Sequence, residues 1–402
     1  MANQIKLLDS ILNKNNGILR IFPNWVPRSF SIPGRRLKLH PDDYYALGAD
    51  RGAIVERWFS STTKADNGPG TPEDEGLSYI FNQDGSRKEM ILLKEAIELK
   101  GDDLLGHKVM EEYGGWVMYS KFFDTMDPLH FHLHQTDTDA ARVGLLGKPE
   151  SYFFPIQLNN HGGYFPYTFF GLNPGTTKDD IIQCLKNWNR GDNGILQLSR
   201  AYPLKAGTGW DVPAGILHAP GSLLTYEPQK SSDVAAIFQS LTWHVYRPWS
   251  MLNRDVPEEN KNDLDYLVRL IDWDLNLDPN FYRNRFVPPK PVKPLDKMKT
   301  EGYEEYWVSY KSKWFSAKEL IIYPQRTVTI KDTGAYGLIV VQGYGKYGAL
   351  DIESPIMIRF GQMTNDELFV IHETATAGIT VTNQSEKDNL VILKHFGPQP
   401  GL

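Results

Sequence analysis

Short apolar stretches that alternate with polar positions dominate the chain, and glycine and proline separate them; this is the pattern of half-buried strands joined by turns. Residues 53–56 alternate in this way, and aromatic runs at 113–123, 151–159 and 164–170 predict three further strands. Stretches 195–206, 209–213, 223–227 and 234–243 continue the series. A few segments change period. Residues 5–12 form a short amphipathic start. Met90, Leu92, Leu93, Ala96, Ile97 and Leu99 follow a 3.6-residue repeat within 86–112, with Gly101 as a stop. Thr176 or Thr177 caps a predicted helix running to about Trp188, with Asp179 and Asp180 in its first turn. Residues 258–274 read as one amphipathic helix, and 61–76 as a polar surface loop.

The proline-rich stretch Val287-Pro-Pro-Lys-Pro-Val-Lys-Pro294 reads as a stiff extended linker and sets the main boundary. Beyond it, eight short strands are predicted, at 305–308, 319–323, 326–330, 338–342, 357–360, 368–371, 378–382 and 390–393. The expected fold is mainly β, with two jelly-roll β-barrel domains and helical insertions. The expected units are 1–250, a helix and linker at 251–300, and a second barrel at 301–402.

Composition narrows the partners. The 402 residues are 41% hydrophobic, enough for a sizeable core, and the net charge of −6 argues against nucleic acid or an anionic membrane as partner. Cys184 is the single cysteine, so no internal disulfide can form, and its predicted helical position makes it a packing residue. The N-terminal residues do not read as a signal sequence and no run of eighteen apolar residues occurs, so the cytoplasm is the expected compartment.

The chemistry concentrates in Asp127-Pro-Leu-His-Phe-His-Leu-His-Gln135. On an extended strand His130, His132 and His134 share one face, while Phe131 and Leu133 face a core. One histidine on a strand is ordinarily structural. Three in register, out of ten in the chain, point to a metal. Glu150 follows at the head of an aromatic strand, and Gly207-Thr-Gly-Trp-Asp-Val-Pro-Ala-Gly-Ile-Leu-His218 delivers a further histidine from a turn. Imidazoles with one carboxylate suit zinc, iron, manganese, nickel or cobalt. His161, His244, His372 and His395 lack partners at metal spacing, so the second barrel is expected to be metal-free.

These segments resemble the cupin superfamily, and within it the type I phosphomannose isomerases. Gly207, Pro213-x-Gly215-x-x-His218 and Ser222 are similar to the second cupin signature. The family's Pro-Leu-Ser-x-Gln-x-His-Pro lies over Pro128-Leu129-His130-x-His132-x-His134-Gln135, and its Gly-Lys-Thr/Pro-Glu over Gly147-Lys-Pro-Glu150. Its Pro-Ala-Gly-x-x-His-Ala-x-Gly, with the Leu-x-Glu-x-Gln and Ser-Ser-Asp that follow, resembles 213–221, then Leu224, Glu227, Gln229 and Ser231-Ser-Asp233. Lys121-Phe-Phe-Asp124 looks like the family's lead-in to the metal strand, and Arg51-Gly-Ala-Ile-Val-Glu-Arg-Trp58 like its early Glu-x-Trp segment. The ordered motifs span about residues 45–250.

The resemblance implies two cupin domains and a ligand set of His132, His134, Glu150 and His218 for one divalent ion, zinc before iron, manganese, nickel or cobalt. It also implies a metal-dependent aldose–ketose isomerase working through a cis-enediol, with Lys148 and Glu227 as candidates for proton transfer. The implied partner is a small-molecule sugar or sugar phosphate, and a homodimer is compatible with the family. Two departures stand out. His132 replaces an amide ligand by an imidazole, and Ile237 stands where the family carries an arginine, with Arg142 on the cavity rim as a stand-in. An atypical or non-phosphorylated sugar is therefore open. So are an iron cupin dioxygenase, which uses the same donor types, and a non-catalytic metal- or sugar-binding cupin.

Overall fold

In strand Ala53–Phe59, alternate side chains enter two different environments. Trp58 stacks on Tyr119 at 4.5 Å and donates its indole N–H to Glu56 at 2.7 Å. Arg57 and Phe59 point the other way, where Arg57 donates to both carboxylate oxygens of Asp366 at 2.7 and 2.8 Å. One strand thus lines an internal cavity on one face and seals a junction with the C-terminal region on the other.

The computed structural model describes residues 2–29, 31–82, 89–159 and 165–398. Its sheets are antiparallel throughout, and the class is mainly β with helical insertions. A seven-stranded sheet runs in the order Phe286–Val287, Gly209–Val212, Glu150–Phe153, Thr225–Lys230, Met118–Phe123, Ala53–Phe59, Asn24–Arg28. A five-stranded sheet runs Ser199–Pro203, Tyr167–Leu172, His218–Ala219, His132–Leu133, Ala236–Ile237. Side chains of both sheets line the cavity. Behind the five-stranded sheet, Phe131, Leu133, Leu217 and Phe238 pack on helices Lys178–Lys186 and Leu264–Arg269.

The C-terminal strands form a nine-stranded sheet and a four-stranded sheet. In strand Tyr336–Gln342, Leu338 and Val340 enter the core between those two sheets. Ile339 and Val341 pack instead against Ile54, Phe59, Phe122 and Tyr226 of the N-terminal region. The nine-stranded sheet is completed by N-terminal strands, since Ile18–Ile21 pairs with both Glu367–Val370 and Tyr79–Phe81. At the junction the Tyr226 hydroxyl and His395 Nδ1 are 2.9 Å apart, both fully buried.

Several predicted elements take a different form. Met90–Leu92 is a strand paired with Tyr79–Phe81, and the helical segment Leu93–Leu105 starts only after it and is broken by a kink at Lys100, whose φ of −144° and ψ of 43° are not helical. The break falls beside the expected stop at Gly101, where a Cβ would lie 2.4 Å from Met110, so the glycine also permits close packing of the next helix, His107–Tyr113. Part of 86–112 lies outside the described residues. The stretch 258–274 is not one helix but three short pieces, because the side chains of Asp263 and Asp272 each cap a new start. Thr177 is the cap of Lys178–Lys186, in a capping box with Asp180. Residues 357–360 form no strand, whereas the hairpin Tyr344–Tyr347 with Leu350–Glu353 was not predicted. The proline-rich stretch contributes two short strands, one to each large sheet. Among the described residues no helix is long and apolar enough to cross a membrane.

Candidate metal centre and its cavity

Two neighbouring strands of the five-stranded sheet, His132–Leu133 and His218–Ala219, set the histidines, with His134 just past the end of the first. His132 is directly opposite His218 on one side and Ile237 on the other. The ring centroids of His132 and His218 are 4.2 Å apart, and those of His132 and His134 4.9 Å. One nitrogen from each of His132, His134 and His218 falls within 4.8 Å of the others. Glu150 arrives from the facing sheet, with its oxygens 3.0 Å from His134 Nε2 and 3.1 Å from His218 Nε2. All four side chains are buried.

The proton positions follow from the hydrogen bonds. His132 Nδ1 lies 2.8 Å from the His130 carbonyl, His134 Nδ1 2.7 Å from that of Val234, and His218 Nδ1 2.8 Å from that of Ile216. A carbonyl only accepts, so each Nδ1 carries the proton and each Nε2 presents a lone pair. Burial depresses His132 well below the usual histidine range. Burial, with Lys148 nearby, brings His134 to about 4. His134 Nε2, His218 Nε2 and Glu150 Oε2 are buried with no hydrogen-bond partner. Lone pairs facing a carboxylate in a buried pocket are mutually repulsive, and a cation between them resolves this. The buried His132, His134 and His218 can bind a metal, and with Glu150 the donor set fits the divalent ions expected from the sequence.

The floor beside this cluster is a chain of alternating charges. Burial disfavours the Glu150 charge, but the Lys148 ammonium at 3.5 Å favours it, and the carboxyl lies well below the usual range. The Tyr152 hydroxyl donates to the same carboxylate. Glu227 shows the opposite behaviour. Burial, together with the charge of Glu150, pushes its carboxyl well above the usual range, although Lys121 at 3.3 Å and Lys148 at 4.0 Å oppose this. Lys121 also lies 3.7 Å from Glu56. Glu56 in turn accepts from Arg28, and Arg28 donates to Asp233 as well.

The structure therefore brings His132, His134, Glu150 and His218 together, with Lys148 and Glu227 lining the same cavity. Gln229 does not face the cavity; its amide donates to the Tyr119 hydroxyl and the Ser232 carbonyl. Arg142 sits exposed over the ring of Tyr266 and lies outside the lining, so it does not replace the missing arginine. His161 lies outside the described residues. Sequence reasoning gave no role to Arg28, Glu56, Lys121 or Asp233. For two of these a signal was present, namely a charge inside an otherwise apolar strand, as in Ala-Ile-Val-Glu56 and Met-Tyr-Ser-Lys121.

No protein-family model and no curated protein matches the chain. Solved structures do. Mannose 6-phosphate isomerase from Bacillus subtilis superposes with a TM-score of 0.60 at 14% identity, covering 94% of this chain and 99% of that one. A substituted phosphomannose isomerase from Salmonella typhimurium gives 0.59 at 12% identity, covering 95% and 100%. A mannose 6-phosphate isomerase bound with zinc and yttrium gives 0.59 at 12%, covering 95% and 99%. At these identities the shared property is the fold.

Proposed function

We propose that this protein is a metal-dependent isomerase that interconverts an aldose and its ketose through a cis-enediol. The observation that carries the reading is the meeting of three histidines and one carboxylate beside a buried carboxyl whose proton affinity is raised. The similarity of fold to mannose 6-phosphate isomerases supports it.

His132, His134, Glu150 and His218 would hold one divalent ion, zinc before iron, manganese, nickel or cobalt. When bound, it supplies Lewis acidity toward neighbouring sugar oxygens. The chain's own residues do the rest. Glu227 Oε1 takes the proton from C2 of the aldose and returns it to C1, while the hydroxyl proton passes from O2 to O1, so no net proton is gained or lost. Lys148 Nζ, 3.5 Å from Glu150 and 4.0 Å from Glu227, donates a hydrogen bond to the oxygen on which charge develops. The apolar wall of Leu129, Ile237 and Met251 keeps water from the enediol. We assign this chemistry to an N-terminal unit, 1–250, and a supporting role to 301–402.

The test is incubation of metal-loaded protein with a panel of sugars in heavy water. Deuterium appearing at C1 or C2, with ketose formed, is expected. Absence of exchange with every sugar in the panel sinks the reading. Oxygen consumption by iron-loaded protein would instead support the dioxygenase.

A further inference from the structure

We infer that the cavity accepts an uncharged sugar, not a sugar phosphate, and that Ile237 is the residue that sets this preference. The inference rests on the reading above that this cavity is the substrate site. The cations that line the cavity are Arg28, Lys121, Lys148 and Arg254, and the anions are Glu56, Glu150, Glu227 and Asp233. Every one of these cations is already paired with a carboxylate.

Arg28 donates from Nε and Nη2 to the Glu56 oxygens at 3.1 and 3.2 Å, and from Nη1 and Nη2 to the Asp233 oxygens at 3.2 Å each. Its Nη1 also donates to Asn67 Oδ1 at 3.0 Å, so its whole fork of donors is spent. Arg254 is held by Asp255 at 2.9 Å, by Asp66 at 3.2 Å and by the Asp233 carbonyl at 2.7 Å. Lys121 stands between Glu56 and Glu227, and Lys148 between Glu150 and Glu227.

A phosphate monoester carries between one and two negative charges at neutral pH and needs a fork of free donors. Here it could obtain one only by breaking a buried ion pair and leaving a carboxylate without compensation. The wall adds nothing. Ile237 is buried, lines the cavity and lies directly across from His132, so the position next to the metal strand presents only methyl and methylene groups. Sugar hydroxyls, in contrast, donate to carboxylates and accept from ammonium groups without breaking these ion pairs. Glu227 Oε1, buried and contacted through the Lys121 and Lys148 ion pairs at 3.3 and 4.0 Å, is one such acceptor.

The experiment compares binding to metal-loaded wild-type protein by calorimetry. The probes are free five- and six-carbon aldoses and ketoses, their terminal phosphate esters, and inorganic phosphate. At least one free sugar should bind, at least about tenfold tighter than its own ester. An ester that binds as tightly as its free sugar, or no binding by any free sugar, overturns the inference. Ile237→Arg, which introduces a cation with no carboxylate assigned to it, should move the ratio toward the ester by about tenfold. A folded variant with an unchanged ratio overturns the role of Ile237. If the variant fails to fold, the wild-type comparison decides alone. The two readings fail separately. Free-sugar binding without proton exchange removes the isomerase and leaves this inference, whereas turnover of an ester in preference to its free sugar does the reverse.

Discussion

Lys121 stands directly opposite Glu227 on neighbouring antiparallel strands, and its ammonium lies 3.3 Å from Glu227 Oε1. The two are 106 positions apart in sequence, yet this register makes them one unit. Lys121 pulls the Glu227 carboxyl down while burial and Glu150 push it up. The pair thus sets how readily Glu227 gives and takes a proton.

Replacing Lys121 by Met removes the downward pull, so the Glu227 carboxyl rises further. The acid limb of the pH profile of kcat/KM should move to higher pH, with a loss in kcat/KM of about 10²- to 10⁴-fold. Metal content, measured by elemental analysis, should stay near that of wild type. An unmoved acid limb would mean that Glu227 does not carry the proton.

His134→Ala and His218→Ala should each abolish metal retention after dialysis, and should remove the drop in melting temperature that a chelator produces in wild-type protein. His130→Ala should retain the metal. What His130 offers to the cluster is its backbone carbonyl, which orients His132, and alanine supplies the same atom. Full occupancy in both ligand variants, or an empty site only in His130→Ala, would require a different ligand list.

Much of the site was legible because a strand sends every second side chain to one face. The histidines at 130, 132 and 134 and the turn before His218 could be read locally, although only His132–Leu133 is paired as strand. Lys121, Arg28 and Asp233 were not legible as one network, because register between distant strands follows from the packing of whole sheets. The same limit hid the hairpin 344–353 and the N-terminal strands that complete the C-terminal sheet. At 258–274 the error was of another kind. The helical period is real, but Asp263 and Asp272 bond backbone N–H groups nearby and restart the helix.

The buried His395 gives the junction a pH dependence. Burial lowers it to about 3, against about 6.5 in an unfolded chain. Between these values the unfolded chain binds a proton that the folded chain refuses. Stability therefore falls as pH drops through that window, by about 1.4 kcal/mol per pH unit from this group. His395→Gln keeps a polar partner for Tyr226 but does not titrate. Chemical denaturation of both proteins at several pH values between about 7 and 5 should show the advantage of wild type shrinking as pH falls. Parallel curves would rule out His395 as the source.

Gly337 makes a close approach at that junction. A Cβ built there would lie 2.1 Å from His395 Nε2 and 2.1 Å from Ser60 Oγ, and neither can easily retreat. His395 is fully buried and tied to Tyr226, whose own strand carries Glu227 into the cavity; Ser60 is fully buried and already holds a positive φ of 50°. Gly337→Ala should therefore destabilise the protein by about 1–3 kcal/mol through overpacking, although alanine is otherwise a mild change. Gly114→Ala is the control, because Gly114 has φ 71° but nothing within 4 Å of the added methyl. Its cost should come from backbone strain alone, about 1 kcal/mol. If denaturation gives equal losses for the two variants, the contact of Gly337 with His395 and Ser60 is not what holds the sheets at this spacing.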